Sequence, residues 1–362
     1  MGHSFRREKR PLGLFRLGLR GKWLSAFHLG VHLTRGDQQT AVLVVGGTGF
    51  IGSAALRALT DGGPSPAGAV KALVRRIPDA PDALPGVEYL TGDLTDPASL
   101  RGVCHDVGTV LHCASYIGSD EERNRSVNAD GTRALLAEAE RAGVRRTVLV
   151  STTAVYGAGP HCDLTENERV PEPTSPTSRT RLQAEEAVLA AGGTVLRPPL
   201  VYGTGDVWVV PSIAELLHRV GALPEDGRAR LSLVAVADLA RLLATLARTP
   251  DLVPPGTTHH AAHPHTPTLR EFVSLLGETL GLPVPTQGLA LDDYLARLGK
   301  APGKVSAHQA GLLAEDRWYR STLWSRIDCP PGPGHHARLS EAAAWYRQLL
   351  APTRTPSADG PA

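Results

Sequence analysis

The sequence predicts an α/β protein, a doubly wound parallel sheet with a smaller, mostly helical C-terminal region. Three observations predict it. From residue 41 onward, short continuous apolar runs alternate with amphipathic stretches of helical period. The first run passes directly into a glycine-rich turn and then a helical pattern. After about residue 200 the alternation gives way to helical segments separated by Pro- and Gly-rich loops. Strands buried on both faces read as unbroken apolar runs, because helices cover each side of a parallel sheet.

AVLVV (41–45) is the first strand, and SAALRAL after the glycines begins the first helix. AVKALV (69–74), VEYL (87–90), TVLHC (109–113), RTVLVS (146–151) and TVLRP (194–198) follow as strands. GTRALLAEAERAG (131–143) and RLQAEEAVLAAG (181–192) have helical period between them. Beyond residue 200, PSIAELLHRVG, VADLARLLATLA, TLREFVSLLGETLG and LSEAAAWYRQLL are helices. The expected organisation is a basic leader over 1–40, a dinucleotide-binding domain over 41–200 and a substrate-binding region over 201–350. Within that region, 234–250 packs back on the first domain, and a disordered tail follows over 351–362.

The net charge of +2 is uneven: residues 1–40 carry +6 and the remainder −4. A basic arm for nucleic acid or anionic lipid is one reading, and a disordered or misassigned leader is preferred. No run approaches the length of a membrane span. The four cysteines (Cys104, Cys113, Cys162, Cys329) lack metal or disulfide spacing, which fits a reduced, cytoplasmic protein with buried thiols. The 33 arginines against five lysines suggest a GC-rich bacterial genome, which bears on codons and not on function. The expected partner is a small-molecule substrate, with neither nucleic acid nor membrane, and with a homodimer left open.

Gly46-Gly47-Thr48-Gly49-Phe50-Ile51-Gly52 joins the first strand to the first helix. Gly46 permits the tight turn, Gly49 lets backbone approach a pyrophosphate, and Gly52 allows close helix–strand packing. Phosphates then meet the N–H groups of Phe50 and Ile51 at the positive end of the helix. This is the pattern of a Rossmann-type site. The second strand ends in Arg75-Arg76 rather than the acid that accepts from an NAD ribose. Arginine pairs with a 2′-phosphate, which favours NADP over NAD; two solvated arginines are the plainer reading. Asp93, followed by Leu94, is placed to accept from an adenine amino group or to cap a turn.

GGTGFIG, GDLTD (92–96), LHCAS (111–115), NADGT (128–132), STTAVYG (151–157), RPPLVYGTGD (197–206) and VAVADLA (234–240) occur in one order. In that order they resemble the extended short-chain dehydrogenase/reductases, the NAD-dependent epimerase/dehydratase superfamily, over about residues 41–280. The resemblance implies NAD or NADP on the N-terminal sheet, with Ala114 of LHCAS beside it. It also implies a substrate, often a nucleotide sugar, against the C-terminal region, and chemistry by hydride transfer. It further implies an ionisable tyrosine, a lysine four residues later, and a Ser or Thr at the end of the fifth strand. Thr152 matches that hydroxyl, with strand-end capping as its alternative role, and Asn128 matches an asparagine that organises the site.

The tyrosine–lysine segment of the family reads roughly S-P-Y-x-x-S-K-x-x-x-E, where this chain has SPTSRTRLQAE (175–185). Thr177 stands for the tyrosine and Arg181 for the lysine. Arginine still donates to a ribose hydroxyl and keeps the positive field. An aliphatic hydroxyl cannot serve as an ionisable base at neutral pH. No tyrosine has lysine four residues on, and no lysine lies between Lys71 and Lys300. The pair is absent, not shifted. The expectation is an NADP-dependent reductase of a carbonyl on a small metabolite or activated sugar, its proton coming from Thr152 or a displaced donor such as Tyr116 or Tyr156. A cofactor-binding scaffold or sensor and a nucleotide-sugar epimerase are the alternatives. TTHHAAHPH (257–265) raises metal binding, but with no acid or Cys nearby it reads as a strand bordering the substrate crevice, with His259, His263 and His265 on one face.

Overall fold

The computed structural model describes residues 41–61, 69–79 and 81–351. The expected leader and residues 352–362 of the expected tail lie outside the described residues. Strand β1 (Ala41–Val45) enters the glycine turn, and α1 (Phe50–Thr60) follows it. Next come β2 (Val70–Val74), β3 (Val87–Thr91) and β4 (Val107–His112). A short helix α2 (Glu121–Asn124) runs through one π-helical stretch, Arg125–Asp130, into α3 (Gly131–Ala142). After β5 (Arg146–Val150) and β6 (His161–Leu164) comes α4 (Pro176–Ala190). Helix α4 begins five residues earlier than its apolar periodicity suggests, because Ser175 and Ser178 form a reciprocal capping box and Pro176 occupies the first turn. Thr177 and Arg181 therefore lie on one helix, a turn apart.

Strands β7 (Thr194–Arg197) and β8 (Leu200–Tyr202) lead to α5 (Val209–Val220), β9 (Leu223–Pro224) and β10 (Leu233–Ala235). Then come α6 (Val236–Arg248), β11 (Thr257–His260) and α7 (Leu269–Leu280). Seven strands form one parallel sheet in the order β11-β7-β5-β4-β1-β2-β3. Alternation along β1 divides its core: Val42 and Val44 pack with Leu56 and Leu59 of α1 and Leu242, Leu243 and Leu246 of α6. Leu43 and Val45 face Leu100, Val107 and Leu135 on the opposite side. Helix α6 is fastened to α1 by Arg248, which donates to the Leu59 carbonyl at 2.6 Å. A separate apolar cluster joins α5, α7 and the last helix, His335–Leu350, around Tyr202, Phe272 and Tyr346. Among the described residues no helix is long and apolar enough to cross a membrane.

The histidine stretch departs from its expected alternation. Only His259 and His260 belong to β11, which is the edge strand of the large sheet. His263 and His265 lie past its end and pack on the ring of His335, with centroids 4.8 and 5.6 Å away. The thiols of Cys104 and Cys329 are buried, whereas Cys162 is exposed.

Candidate active site

At the C-terminal ends of β1, β2 and β4 lies a cavity of about 570 Å³. Gly46 turns through a positive φ of 82°, and a Cβ there would come within 2.8 Å of the Ala114 backbone. A methyl on Gly52 would run into the Gly46 carbonyl, so α1 approaches β1 only because that position is glycine. Helix α1 has Gly49 at its N-cap and so no side-chain cap, leaving its first N–H groups for a ligand. Gly46, Gly49, Phe50, Ile51, Arg75, Asp93, Leu94, Ala114 and Arg181 all border this cavity. The uncapped helix, packed close against a turn in which neither Gly46 nor Gly52 has room for a Cβ, suits a pyrophosphate. Asp93 uses Oδ1 to accept from both the backbone and hydroxyl of Thr95 at 2.8 Å, which holds its carboxyl below the usual range. Arg76 lies outside the main cavity, in an adjoining hollow of about 420 Å³ shared with Thr48, Arg75, Asp79 and Asp82.

The other end of the cavity is built from α4 and the π-helical stretch. Asn128 accepts from the Tyr116 N–H at 2.8 Å and donates to the Tyr116 carbonyl at 3.0 Å, so one buried amide holds the backbone of one residue at both its polar groups. It also donates to Thr180 at 3.1 Å. Asn124 donates to the Gly118 carbonyl at 2.8 Å, and Thr177 donates to the same carbonyl at 3.2 Å. These amide and hydroxyl groups hold the segment 115–118. Arg181 donates to the Val150 and Ser151 carbonyls at 2.8 and 3.2 Å while bordering the cavity. Burial pulls its pKa down to about 10, against the attraction of Glu185 and Cys113, and it remains charged at neutral pH. Burial also pushes the neighbouring Cys113 thiol up to about 12.

Thr152 caps a short 3₁₀ turn, accepting from the Ala154 N–H at 3.1 Å, and an accepting hydroxyl keeps its own proton to donate. Tyr156 does not reach the cavity, which corrects its place as a candidate donor. It is fully buried and receives a hydrogen bond from Arg197 at 2.9 Å. His260 donates through Nδ1 to the Arg320 carbonyl at 3.1 Å, so its Nε2 is the acceptor for the Tyr156 hydroxyl 2.7 Å away. Burial raises the phenol to about 12. The proton of Tyr156 is committed inside the core. Arg197 is in turn paired with Glu185 at 2.5 Å, and Glu185 also accepts from Ser151.

Tyr116, Ile117, Arg123 and Trp208 complete the open end. Ile117 and Trp208 are 52% and 53% exposed, which makes an apolar rim. Of these four, sequence reasoning had only Tyr116, as a fallback donor. Arg123 comes from α2, while Ile117 and Trp208 come from two loops whose side chains gain significance only when they meet at the cavity mouth.

Comparison with known proteins gives a consistent result. The model of a family described as "NAD dependent epimerase/dehydratase family" matches residues 42–261. Ceramide reductase of Caulobacter vibrioides is 30% identical over 328 residues, 86% of this chain and 96% of that protein. The 2-alkyl-3-oxoalkanoate reductase of Stenotrophomonas maltophilia is 28% identical over 292 residues, covering 76% and 83% of the two chains. Among solved structures, the dTDP-glucose 4,6-dehydratase DesIV of Streptomyces venezuelae with NAD bound superimposes with a TM-score of 0.66. It shares 24% identity over 85% of this chain and 97% of its own, a likeness of fold.

Proposed function

The chain belongs to the NAD dependent epimerase/dehydratase family, and from that premise we propose that it is an NADP-dependent reductase of a carbonyl group on an apolar small molecule. The observation that carries the reading is the single cavity that runs from the Gly46–Ile51 cradle to the rim of Ile117 and Trp208. The named activities of the two reductase relatives support an apolar carbonyl over an activated sugar. Gly46, Gly49, Phe50 and Ile51 hold the pyrophosphate, Asp93 and Leu94 border the adenine, and Ala114 and Arg181 border the ribose near the reacting end. Bound there, the dinucleotide supplies a hydride. Arg181 replaces the lysine of the family's pair as a fixed positive charge, and Thr152 donates a hydrogen bond to the substrate oxygen. Thr177 replaces the tyrosine in position and not in chemistry. Substrate binding falls to the region over 201–350, the nucleotide to 41–200.

Arg75 and Arg76 favour NADP, since an arginine–phosphate pair adds affinity that a ribose hydroxyl does not. Asp79 and Asp82 share that hollow and reduce the gain. Calorimetry with both cofactors tests the preference. NADP binding tighter than NAD by roughly 10-fold or more is expected, from the ~1.5–3 kcal/mol of a charge-assisted pair. Arg75→Ala should remove that margin. Equal binding of NAD overturns it.

A second reading, a cofactor-binding sensor without turnover, draws on one observation: the Thr177 hydroxyl is engaged with Gly118. Incubation with NADPH and a panel of apolar ketones and nucleotide sugars separates the readings. Cofactor binding without consumption on any member favours the sensor.

A further inference from the structure

We propose that Tyr116 is the proton donor that stands in for the tyrosine missing at position 177, an inference that rests on the reductase reading. Five hydroxyl or thiol groups come near the reacting end in this reading. Thr152 holds the substrate oxygen without giving up its proton, since an aliphatic hydroxyl does not ionise near neutral pH, and three more are occupied or unsuited. Thr177 gives its proton to the Gly118 carbonyl. Ser115 donates to Asn128 Oδ1 at 3.2 Å. The Cys113 thiol is held protonated by burial. Tyr116 borders the cavity, and among the described residues its hydroxyl has no hydrogen-bond partner.

Its position is set by the chain and not by chance. The Asn128 amide holds the Tyr116 backbone at both its polar groups. The Arg123 guanidinium stacks on its ring, 4.6 Å from the centroid. The phenol rests on Gly118, where a methyl group would come within 2.6 Å of the phenolic oxygen. Gly118 is also the residue that Thr177 binds. The hydroxyl at the usual catalytic position and the phenol two residues upstream of that glycine thus meet at one peptide. Helix α4 has lost its tyrosine, and its threonine anchors the loop that brings another. In the reaction, the carbonyl carbon gains a hydride, and the carbonyl oxygen takes the Tyr116 phenolic proton to become a hydroxyl. The phenolate then takes a proton from water entering at the open rim.

Two measurements test this. In the full chain, tetranitromethane should nitrate Tyr116, and saturating NADP should slow that nitration at least ten-fold, as mapped by mass spectrometry. Nitration indifferent to NADP places the phenol away from the reacting end and overturns the proposal. With ethyl 3-oxodecanoate as the first ketone, Tyr116→Phe should lower kcat by about 10²–10⁴ while NADP affinity and melting temperature hold. Thr177→Val should lower it less than ten-fold. Gly118→Ala, which keeps the phenol but displaces it, should reproduce much of the loss. If wild type reduces the ketone and Tyr116→Phe matches it, the donor assignment fails and the reductase reading stands. If wild type reduces no ketone of the panel, the reductase reading fails and the donor role falls with it.

Discussion

Glu185 carries more of the fold than its place in a surface helix pattern suggests. It is fully buried, accepts three hydrogen bonds from Arg197 and one from Ser151, and links α4 to the ends of β5 and β7. Glu185→Ala leaves the Arg197 charge buried without its partner, a change that typically costs about 3–5 kcal/mol. A fall in unfolding free energy of that size is expected from denaturant titration, and an unchanged value would show that the pair is dispensable. Glu185→Gln retains the shape and should lose less. The identities at positions 177 and 181, a threonine and an arginine, were legible in the sequence at this scale. The partners of those positions were not. Thr177 meets Gly118 and Tyr156 meets His260 across long stretches of chain, and no local pattern encodes which proton goes where.

Elements were read well where period and punctuation agree, as in β1 and α6, and less well where a side chain sets the boundary. The start of α5 is such a place. The Asp206 carboxylate accepts from the N–H groups of Trp208, Val209 and Val210 at 2.7, 2.8 and 3.0 Å, and from the Tyr346 hydroxyl at 2.9 Å. One buried acid thus orders the first turn of α5 and ties it to the last helix. Asp206→Ala should destabilise by about 2–4 kcal/mol, combining a lost helix cap with unsatisfied buried donors. Because Trp208 stands at the cavity rim, the same variant should also weaken binding of an apolar substrate. Thermal melts and ligand titration check the two effects separately. Tyr346→Phe leaves the Asp206 contacts to α5 in place and removes only the hydroxyl that donates to Asp206 and accepts from the Gly203 N–H at 2.7 Å, and it should cost less. The edge strand β11 was read as a strand, but its end was not legible: the expected alternation runs on to His265, whereas the strand stops at His260.

Over the whole molecule, the sheet and its two covering layers followed from the sequence, but strand order did not, because order depends on pairing between distant segments. The buried imidazoles give the fold a collective pH response. Burial holds His112, His161 and His335 at about 4, below the 6.5 of a free imidazole. Each binds its proton more weakly folded than unfolded, so acidification draws protons to the unfolded chain. Stability should fall as pH drops from about 6.5 towards 4, by up to roughly 3 kcal/mol for each imidazole, with no further loss from them below that range. Melting temperature measured at pH 7.5 and 5 checks this, and a flat profile contradicts it. The pairing of β7 with β11 has a different kind of consequence, for synthesis on the ribosome. Strand β7 ends at Arg197, and the strand that covers its free side begins only at Thr257. At ~5–20 residues per second, a nascent chain spends roughly 3–12 s with β7 as an open edge. During that interval its unpaired N–H and C=O groups are available to another nascent chain. Slower translation between these strands should therefore raise the insoluble fraction, and pausing after residue 260 should not.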